Sequence, residues 1–487
     1  MNKPMRRVAV FCGLLILALL VRVNWVQFVQ ADELQTDANN RRVLIERYAH
    51  PRGDIIVEGQ PITGSVETDD NDFTYKRTYT DGEMWAPVTG FASLFNTTLL
   101  EGIYDSILTG DDDRLFFNRT IDMLTGKDRT GGNIITTLNE DAQRAAFEGL
   151  GDKKGAVAAI DPRTGAILAL VSTPSYDPST FTGNTVEDSE AWTALQKENN
   201  PDDPMLNRAL RETYPPGSTF KVVTSAAALE HGLLDGVDTK TDYPEPFILP
   251  DTQDVPLDNL IKGRCEDASL RIALEDSCNT VFAGISNELG NEKMIETAES
   301  FGFNEEIFTP VRAVASQYPE DNRPQNAMAG IGQASNRATP LQMAMVAAAI
   351  ANDGKLMQPY MVDRLDAPNA NVIEQTEPEE MSRPLSPENA QALQSAMESV
   401  VEDGTAFNAK IDGVKVGGKT GTAQHGENNA DIPYAWFISY AMTDNGSPVA
   451  VAVVIENGSD DRSEVGGNAL AAPIAKDVME AVLAGQN

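Results

Sequence analysis

The segment PPGSTFK at residues 215–221 places Ser218 three positions before Lys221, and an apolar, alanine-rich run follows it. On a helix, residues three apart lie on one face, so the serine hydroxyl and the lysine amine can touch. Such a pair can form a self-activated nucleophile. The chain holds only three histidines, which favours lysine as the base. A chain of this length contains such a pair by chance, so other motifs must accompany it before it indicates a site.

Two further short motifs follow, and each occurs once. Ser277-Cys278-Asn279 begins a predicted helix, and Lys419-Thr420-Gly421-Thr422 lies on or beside a predicted strand. Alone, Ser277 is typical of a helix cap and Lys419 of a solvated surface charge. The order Ser-x-x-Lys, Ser-x-Asn, Lys-Thr-Gly makes the three motifs informative together, although each is weak by itself.

The three motifs resemble those of the penicillin-binding proteins and serine β-lactamases. The likeness extends along the chain and is closest to the class B penicillin-binding proteins, in particular the actinobacterial penicillin-binding protein A group. It is carried by an apolar N-terminal segment and by Arg52-Gly53, Asp161–Gly165, Gly332-Gln333, Thr339–Gln342 and Gly404-Thr405. The resemblance implies a penicillin-sensitive peptidoglycan D,D-transpeptidase that cross-links stem peptides through a serine acyl-enzyme in cell-wall synthesis.

The resemblance and the chemistry of acyl transfer give the first two motifs predicted roles. Ser218 attacks the carbonyl of a terminal D-Ala-D-Ala peptide, and Lys221 accepts the serine proton, so Lys221 must be neutral some of the time. Two ammonium groups ~4 Å apart at an effective dielectric of about 20 repel by ~4 kcal/mol, so Lys419 can lower the pKa of Lys221. Ser277 relays the proton to the leaving D-alanine, and Asn279 holds Lys221 and the substrate amide.

The third motif is predicted to bind the substrate along Lys419, Thr420, Gly421 and Thr422. Lys419 and Thr420 take the terminal carboxylate of the substrate. The resemblance places the oxyanion hole at the backbone N–H groups of Ser218 and Thr422. Ser218 at a helix N-terminus suits that role, because the N–H groups there have no intrahelical partner.

The three cysteines fit an exported protein. Cys12 lies in the apolar N-terminal segment, whereas Cys265 and Cys278 lie where a disulfide can persist; two free thiols are the alternative. The middle residue of Ser-x-Asn is usually not cysteine in the family, so Cys278 departs from the commonest pattern. Our hypothesis is a Cys265–Cys278 bridge that tethers the motif. No Cys and His cluster has zinc spacing, so we expect no metal and no cofactor.

The amino terminus indicates a membrane anchor. Basic residues precede an uncharged run, Val8–Val21, and Arg22 leads into a mostly apolar stretch to Ala31. A cleaved signal peptide is the alternative, but its candidate cleavage site, Val29-Gln30-Ala31, lies far beyond the apolar core. The stretch is long enough to cross the hydrocarbon if Arg22 reaches the far interface. The positive-inside rule then predicts a single-pass protein of the cell membrane with its catalytic part outside the cytoplasm.

The expected partners follow from charge and from the resemblance. With 38 basic and 73 acidic residues the formal charge is −35, which argues against nucleic acid. The resemblance implies peptidoglycan stem peptides as D-Ala-D-Ala donor and amine acceptor, and β-lactams that acylate the same serine. It also implies a SEDS-type glycan polymerase in the same membrane, and a role in cell shape or cell division.

We predict an α+β protein of three parts. Residues 1–31 form a cytoplasmic stub and the anchor, residues 32–150 a β-rich, non-catalytic docking or dimerisation domain, and residues 151–487 the transpeptidase domain. In the last part, strand signals near both ends with helices between them predict that the two ends pair in one sheet. The resemblance implies that this sheet is antiparallel and flanked by helices. A helix is expected from Ser218 to about His231, and another from about Ser277 to a stop at Gly290.

Several alternatives share parts of the pattern. Gly413–Thr420 matches the phosphate-binding loop letter for letter, but its Val-Lys-Val core indicates a strand and no helix follows. A β-lactamase needs a carboxylate to activate water; Glu288, in the segment 288–291, matches that pattern, but it lies too close to Ser277 and at the end of a predicted helix. A D,D-carboxypeptidase differs only in using water as acceptor, and the separate front domain favours transpeptidation. A penicillin-sensing receptor lacks room for a signalling domain before the anchor, and a bifunctional enzyme lacks room for a polymerase.

Overall fold

The computed structural model describes residues 3–35, 40–69, 72–116, 120, 123, 125–126, 129–260, 263–459 and 461–485. Its first element is the helix Lys3–Phe28, which is long and apolar enough to cross a membrane and buries none of its residues against the rest of the chain. At 1.5 Å per residue it is ~39 Å long, against ~30 Å of bilayer hydrocarbon. Residues 1 and 2 of the predicted anchor lie outside the described ranges.

A five-stranded antiparallel sheet forms the centre of the large domain. Its strands in spatial order are Lys415–Ala423, Tyr434–Thr443, Gly446–Ile455, Gly155–Ile160 and Ile167–Thr173. The late strand Gly446–Ile455 pairs with the early strand Gly155–Ile160, so the predicted pairing of the two ends of the domain is confirmed. Nearly every residue of these two strands is buried, which explains their continuous apolar sequence.

Helices cover this sheet. The helix Pro340–Ala351 packs against its central strands and is buried on all sides, as expected of a helix that is apolar all round. The final helix Ala472–Ala484 also packs on the sheet and lies against the helix Glu140–Leu150. The antiparallel sheet flanked by helices therefore agrees with the predicted fold class.

The front part of the chain mixes strands with helices and shares a second sheet with the large domain. This sheet has the order Val372–Gln375, Val362–Asp366, Asn133–Thr136, Ile55–Val57, Gln60–Pro61. Two strands from beyond residue 360 thus extend a sheet that begins near residue 55. The two parts of the chain are joined by backbone pairing as well as by side-chain packing.

A buried charge cluster holds the front part together. Glu101 is fully buried and accepts hydrogen bonds from the guanidinium groups of Arg52 and Arg77, which are themselves buried. Arg52 also pairs with Asp105, which in turn contacts Arg47 near the end of the segment that follows the first helix. A buried carboxylate stays charged at modest cost only when it is paired in this way.

Four helical segments surround the functional motifs. They are the 3-10 turn Gly217–Phe220 with the helix Lys221–Glu230, the helix Leu270–Glu275, the helix Asn279–Ser300 and the helix Pro387–Glu402. The predicted stop at Gly290 is confirmed: Gly290 has φ 80° and ψ 166°, outside the helical range, and it separates the helix that begins at Asn279 from a second helical stretch that ends at Ser300.

The remaining elements are short. The helices are Ala31–Gln35, Arg41–Arg47, Gly82–Thr89, Leu99–Ile103, Asp105–Thr109, Val186–Leu195, Arg208–Arg211 and Arg323–Ala329. The strands are Thr63–Glu67, Tyr75–Tyr79, Phe247–Ile248, Pro256–Leu257, Ile307–Phe308, Arg312–Ala313, Leu356–Met357 and Glu380–Ser382.

Candidate active site

Ser218 lies in the 3-10 turn Gly217–Phe220, one turn before the helix that begins at Lys221. In a 3-10 turn, residues three apart lie directly above one another, so the pair still shares a face. Gly217 has φ +55° and donates its N–H to the carbonyl of Gly332 at 2.9 Å. A Cβ on Gly332 would lie 2.0 Å from the carbonyl oxygen of Gly217, so only glycine allows this approach.

The segment before Ser218 is fastened to the central sheet. The indole of Trp436 donates to the carbonyl of Pro215 at 3.1 Å, and the Trp436 ring meets that of Tyr214 edge to face. Gly421 leaves room for this packing: a Cβ there would lie 3.0 Å from the side chain of Thr219. The nucleophile turn is therefore positioned by the strand that carries the third motif and by its neighbour.

The amine of Lys221 is directed at the second motif. Lys221 is fully buried, and its Nζ lies 2.7 Å from the carbonyl oxygen of Ser277, 3.2 Å from the Ser277 hydroxyl and 2.7 Å from Oδ1 of Asn279. In the part of the chain that the structure describes, the Ser218 hydroxyl makes no hydrogen bond. Ser218 and Lys221 therefore share a face as predicted, but in this state the amine bonds to Ser277 and Asn279.

Ser277 occupies a strained position between two helices. Its φ is +57°, a left-handed conformation that is uncommon for serine, and it lies between the helix Leu270–Glu275 and Asn279. A disulfide joins Cys278, the next residue, to Cys265. The disulfide fixes the backbone on the C-terminal side of Ser277. A strained conformation of this kind persists only where the surrounding structure holds it in place.

The hydroxyl of Ser277 is shared by two buried lysines. Nζ of Lys419 lies 3.0 Å from it, on a residue that is also fully buried. Burial lowers the pKa of Lys221 well below its usual range, and the charge of Lys419 lowers it further. Burial also lowers the pKa of Lys419 to about 7. Repulsion between the lysines therefore contributes as expected, but loss of hydration is the larger cause.

The third motif lies on the edge strand Lys415–Ala423 of the central sheet. Thr420 is buried and Thr422 is exposed, so the strand presents one residue of the motif to solvent. Because Gly413–Thr420 runs into a regular strand and a 3-10 turn follows at Glu427–Asn429, it does not form the loop-to-helix turn of a phosphate site.

The structure brings all three motifs to one place. Lys221, Ser277, Asn279 and Lys419 are linked by hydrogen bonds, and the turn that carries Ser218 lies against the end of the third-motif strand. Asn279 uses one amide hydrogen on the carbonyl of Asp258 at 3.1 Å, which leaves the other available to a substrate.

Two residues at the site have no recognisable signal in the sequence. Trp436 reaches Pro215 only because adjacent strands bring it there, and the Gly404-Thr405 likeness to the family gives Thr405 no role. In the structure the hydroxyl of Thr405 lies 3.0 Å from that of Thr420. A Gly-Thr dipeptide is too common for its sequence to predict such a contact.

Among the described residues, no carboxylate hydrogen-bonds to Ser218, Lys221 or Lys419. Glu288, the residue that matched a β-lactamase pattern, is on the helix Asn279–Ser300 and accepts a hydrogen bond from the Tyr243 hydroxyl at 2.7 Å. Within the same residues, no group of three or more His, Cys, Asp or Glu side chains is placed to hold a metal ion.

Comparison with known proteins covers nearly the whole chain. Residues 155–480 match the family model described as the penicillin binding protein transpeptidase domain, and residues 52–134 match the penicillin binding protein A dimerisation domain. The chain is 41% identical to "Peptidoglycan D,D-transpeptidase PbpA" of Mycolicibacterium smegmatis over 99% of both chains. It is also 41% identical to the protein of that name from Mycobacterium tuberculosis, over 100% of both.

Solved structures agree with these sequence relatives. Penicillin-binding protein A from M. tuberculosis as a ceftriaxone acyl-enzyme complex superposes with a TM-score of 0.85 at 40% identity, over 90% of this chain and 100% of the other. The imipenem acyl-enzyme complex of the same protein superposes with a TM-score of 0.83 at the same identity and coverage.

Proposed function

Since this chain belongs to the penicillin-binding protein transpeptidase family, we propose that it is a peptidoglycan D,D-transpeptidase whose nucleophile is Ser218. The observation that carries the proposal is the Ser277 hydroxyl, which lies within hydrogen-bond distance of both Lys221 and Lys419. A buried lysine kept neutral and a second lysine able to hold an anion are the two groups that acyl transfer from a C-terminal peptide requires.

Acylation begins with attack of the Ser218 oxygen on the carbonyl of the penultimate D-alanine. A bond forms between that oxygen and the carbonyl carbon, and the serine proton passes to neutral Lys221. The negative charge that develops on the carbonyl oxygen is stabilised by the backbone N–H groups of Ser218 and Thr422. The peptide C–N bond then breaks, and Ser277 delivers its proton to the nitrogen of the leaving D-alanine while it receives a proton from Lys221.

The acyl-enzyme is resolved by an amine. The acceptor stem peptide attacks the ester carbonyl, a new amide bond forms, and the amine loses its proton to the Lys221–Ser277 pair. The ester C–O bond breaks and Ser218 regains its proton, so the enzyme returns to its initial state. A β-lactam follows the first half of this route and stops there, since its leaving nitrogen stays tethered to the acyl group.

The substrate is held along the third motif. Protonated Lys419 and the Thr420 hydroxyl bind the terminal carboxylate, and the segment from Gly421 to Thr422 aligns the peptide at the edge of the sheet. This division of labour needs Lys221 neutral and Lys419 charged at the same pH. Burial and the charge of Lys419 both lower the pKa of Lys221, which favours its neutral form beside a charged Lys419.

The rest of the chain serves location and assembly. The helix Lys3–Phe28 is a single-pass anchor with the basic residues of its start in the cytoplasm and the catalytic domain outside. We retain the division into residues 1–31, 32–150 and 151–487, with the front domain as the docking or dimerisation unit. A SEDS-type glycan polymerase in the same membrane is the partner expected for that unit.

The test is acylation by a fluorescent penicillin. We expect a long-lived adduct on the wild type, the same adduct on Ser189→Ala, an exposed serine of the helix Val186–Leu195, and none on Ser218→Ala. Rapid turnover of the drug by the wild type would instead indicate a β-lactamase. A wild type that is never labelled would remove the proposal. Release of D-alanine from a donor peptide with and without an added amine separates transpeptidation from hydrolysis.

A further inference from the structure

Thr405 contacts the third motif from outside it. Its hydroxyl lies 3.0 Å from the hydroxyl of Thr420, and either oxygen is placed to donate. Thr405 follows the helix Pro387–Glu402 and is half-buried, whereas Thr420 is only 9% exposed. The contact therefore lies at the border between the protein interior and the substrate cleft.

The backbone of Gly404 and Thr405 lies against the end of the helix that precedes the second motif. The backbone N–H of Thr405 donates to the carbonyl of Glu275 at 3.3 Å. A Cβ on Gly404 would lie 2.9 Å from the carbonyl oxygens of Glu275 and Val400, so glycine permits the close approach. Glu275 ends the helix that precedes Ser277, so Thr405 connects the backbone leading to Ser277 with the side chain of Thr420.

The number of hydrogens on the two hydroxyls decides which of them donates in this hydrogen bond. A threonine hydroxyl has one hydrogen to donate and two lone pairs to accept with. If Thr420 donates its hydrogen to a substrate carboxylate, it cannot also donate to Thr405. In the complex, Thr405 must then be the donor and Thr420 the acceptor.

We propose that Thr405 is a positioning residue of the carboxylate subsite: by donating to the Thr420 oxygen, it orients the Thr420 hydrogen toward the terminal carboxylate of the substrate. The inference rests on the proposed function, because it assumes that Thr420 binds this carboxylate. Thr405 itself does not touch the substrate. Its effect is confined to ligands that carry the anion, which separates it from a purely structural role.

Two variants and two ligands test the inference. Thr405→Val keeps the shape of the side chain and removes the hydroxyl, whereas Thr405→Ser keeps the hydroxyl. The second-order rate constant for acylation is measured with a penicillin and with its methyl ester, in which the carboxylate is masked. We expect Thr405→Val to react about tenfold more slowly than the wild type with the free acid, as for loss of one hydrogen bond to an ion-binding group. Thr405→Ser should stay within about twofold of the wild type.

With the ester, all three proteins should react at the same low rate. In a Thr420→Val background, Thr405→Val should cause no further loss with the free acid, because the two hydroxyls act as one unit. If Thr405→Val slows acylation equally with the free acid and with the ester, Thr405 has a structural role and the inference is overturned. The inference is also overturned if Thr405→Val is acylated by the free acid as fast as the wild type. A wild type that is not acylated at all would overturn the proposed function and this inference with it.

Discussion

The amine of Lys221 approaches Ser277 twice, lying 2.7 Å from its carbonyl oxygen and 3.2 Å from its hydroxyl. Lys419 approaches the same hydroxyl at 3.0 Å. The two lysines thus share one oxygen, and a proton taken from Ser218 has a short route to the leaving group. The carbonyl and the hydroxyl of Ser277 lie on the same side, since both are within hydrogen-bond distance of the Lys221 amine.

The rate of acylation should depend on pH through both lysines. Lys221 must be neutral, and because burial and the charge of Lys419 lower its pKa, the acid limb of the profile should lie well below the pH at which an ordinary lysine loses its proton. Lys419 must be charged, so activity should fall as pH rises through about 7 in the free enzyme. The measurement is the second-order rate constant for penicillin against pH at constant ionic strength.

The variant Lys419→Arg tests the second limb, because arginine stays charged throughout this range. We expect a lower rate but no fall above pH 7. Lys410→Arg, at an exposed lysine paired with Glu402, should leave the profile unchanged. A wild type whose rate is flat from pH 6 to 9 would contradict the assignment of the two protonation states.

Removal of the Ser277 hydroxyl should remove the hydrogen bonds that link Lys221 to Lys419, without unfolding the protein. For Ser277→Ala we expect acylation to slow by about 10²–10³-fold, the range typical of a lost proton-transfer group. The melting temperature should change little, since Ser277 is half-buried and its backbone carbonyl still accepts from Lys221. An acylation rate equal to that of the wild type would exclude a relay through this oxygen.

Reduction of the Cys265–Cys278 disulfide should affect both stability and acylation. Closing a loop of 13 residues restricts the unfolded chain, so the bridge is expected to stabilise the fold by about 3 kcal/mol. The backbone of Ser277 would also lose its tether, and we expect acylation to slow about tenfold, because a small displacement of a catalytic group is costly. The double variant Cys265→Ser/Cys278→Ser should behave as the reduced protein does.

Cys12→Ser, outside the folded domain, should change neither property. If the reduced protein melts at a lower temperature but is acylated at the wild-type rate, the bridge stabilises the fold without positioning Ser277.

The Gly332–Gly217 contact predicts that Gly332→Ala abolishes acylation. The added methyl group would lie 2.0 Å from the Gly217 carbonyl oxygen, and alanine is also disfavoured at φ +75°. The nucleophile turn must move or the protein must lose stability. Gly236→Ala is the matched control, since a Cβ there meets nothing within 4 Å; its melting temperature and acylation rate should equal those of the wild type.

The buried Glu101 should stabilise the front domain without taking part in the chemistry. Glu101→Leu removes the buried carboxylate that Arg52 and Arg77 share and leaves Arg52 paired with Asp105 and Arg77 with Asp54, and we expect a loss of about 3–5 kcal/mol. Glu83→Leu, at an exposed position of the helix Gly82–Thr89, should be nearly neutral. Below the unfolding transition both variants should be acylated at the wild-type rate; a specific loss in Glu101→Leu would indicate coupling between the front domain and the active site.

Much of the fold follows from local patterns. The helix expected from Ser218 to about His231 is present as the 3-10 turn Gly217–Phe220 and the helix Lys221–Glu230, and the strands near the two ends of the large domain pair as predicted. The stop at Gly290 follows from the sequence as well, because glycine readily adopts the positive φ that ends a helix; the second helical stretch up to Ser300 was not predicted. The sharing of the second sheet by Val362–Asp366 could not be predicted, since register between distant strands leaves no local signal.

What the sequence by itself determined is the chemistry: a serine, two lysines, a second serine and an asparagine in an order that indicates acyl transfer. It could do so because motif order and residue type are properties of the chain alone. What only the tertiary structure decided is how these groups meet. Lys221 contacts Ser277 at a distance of 56 residues along the chain, and Lys419 contacts it across 142. Their lowered pKa values come chiefly from burial in the folded core, and burial is a property that no single motif possesses.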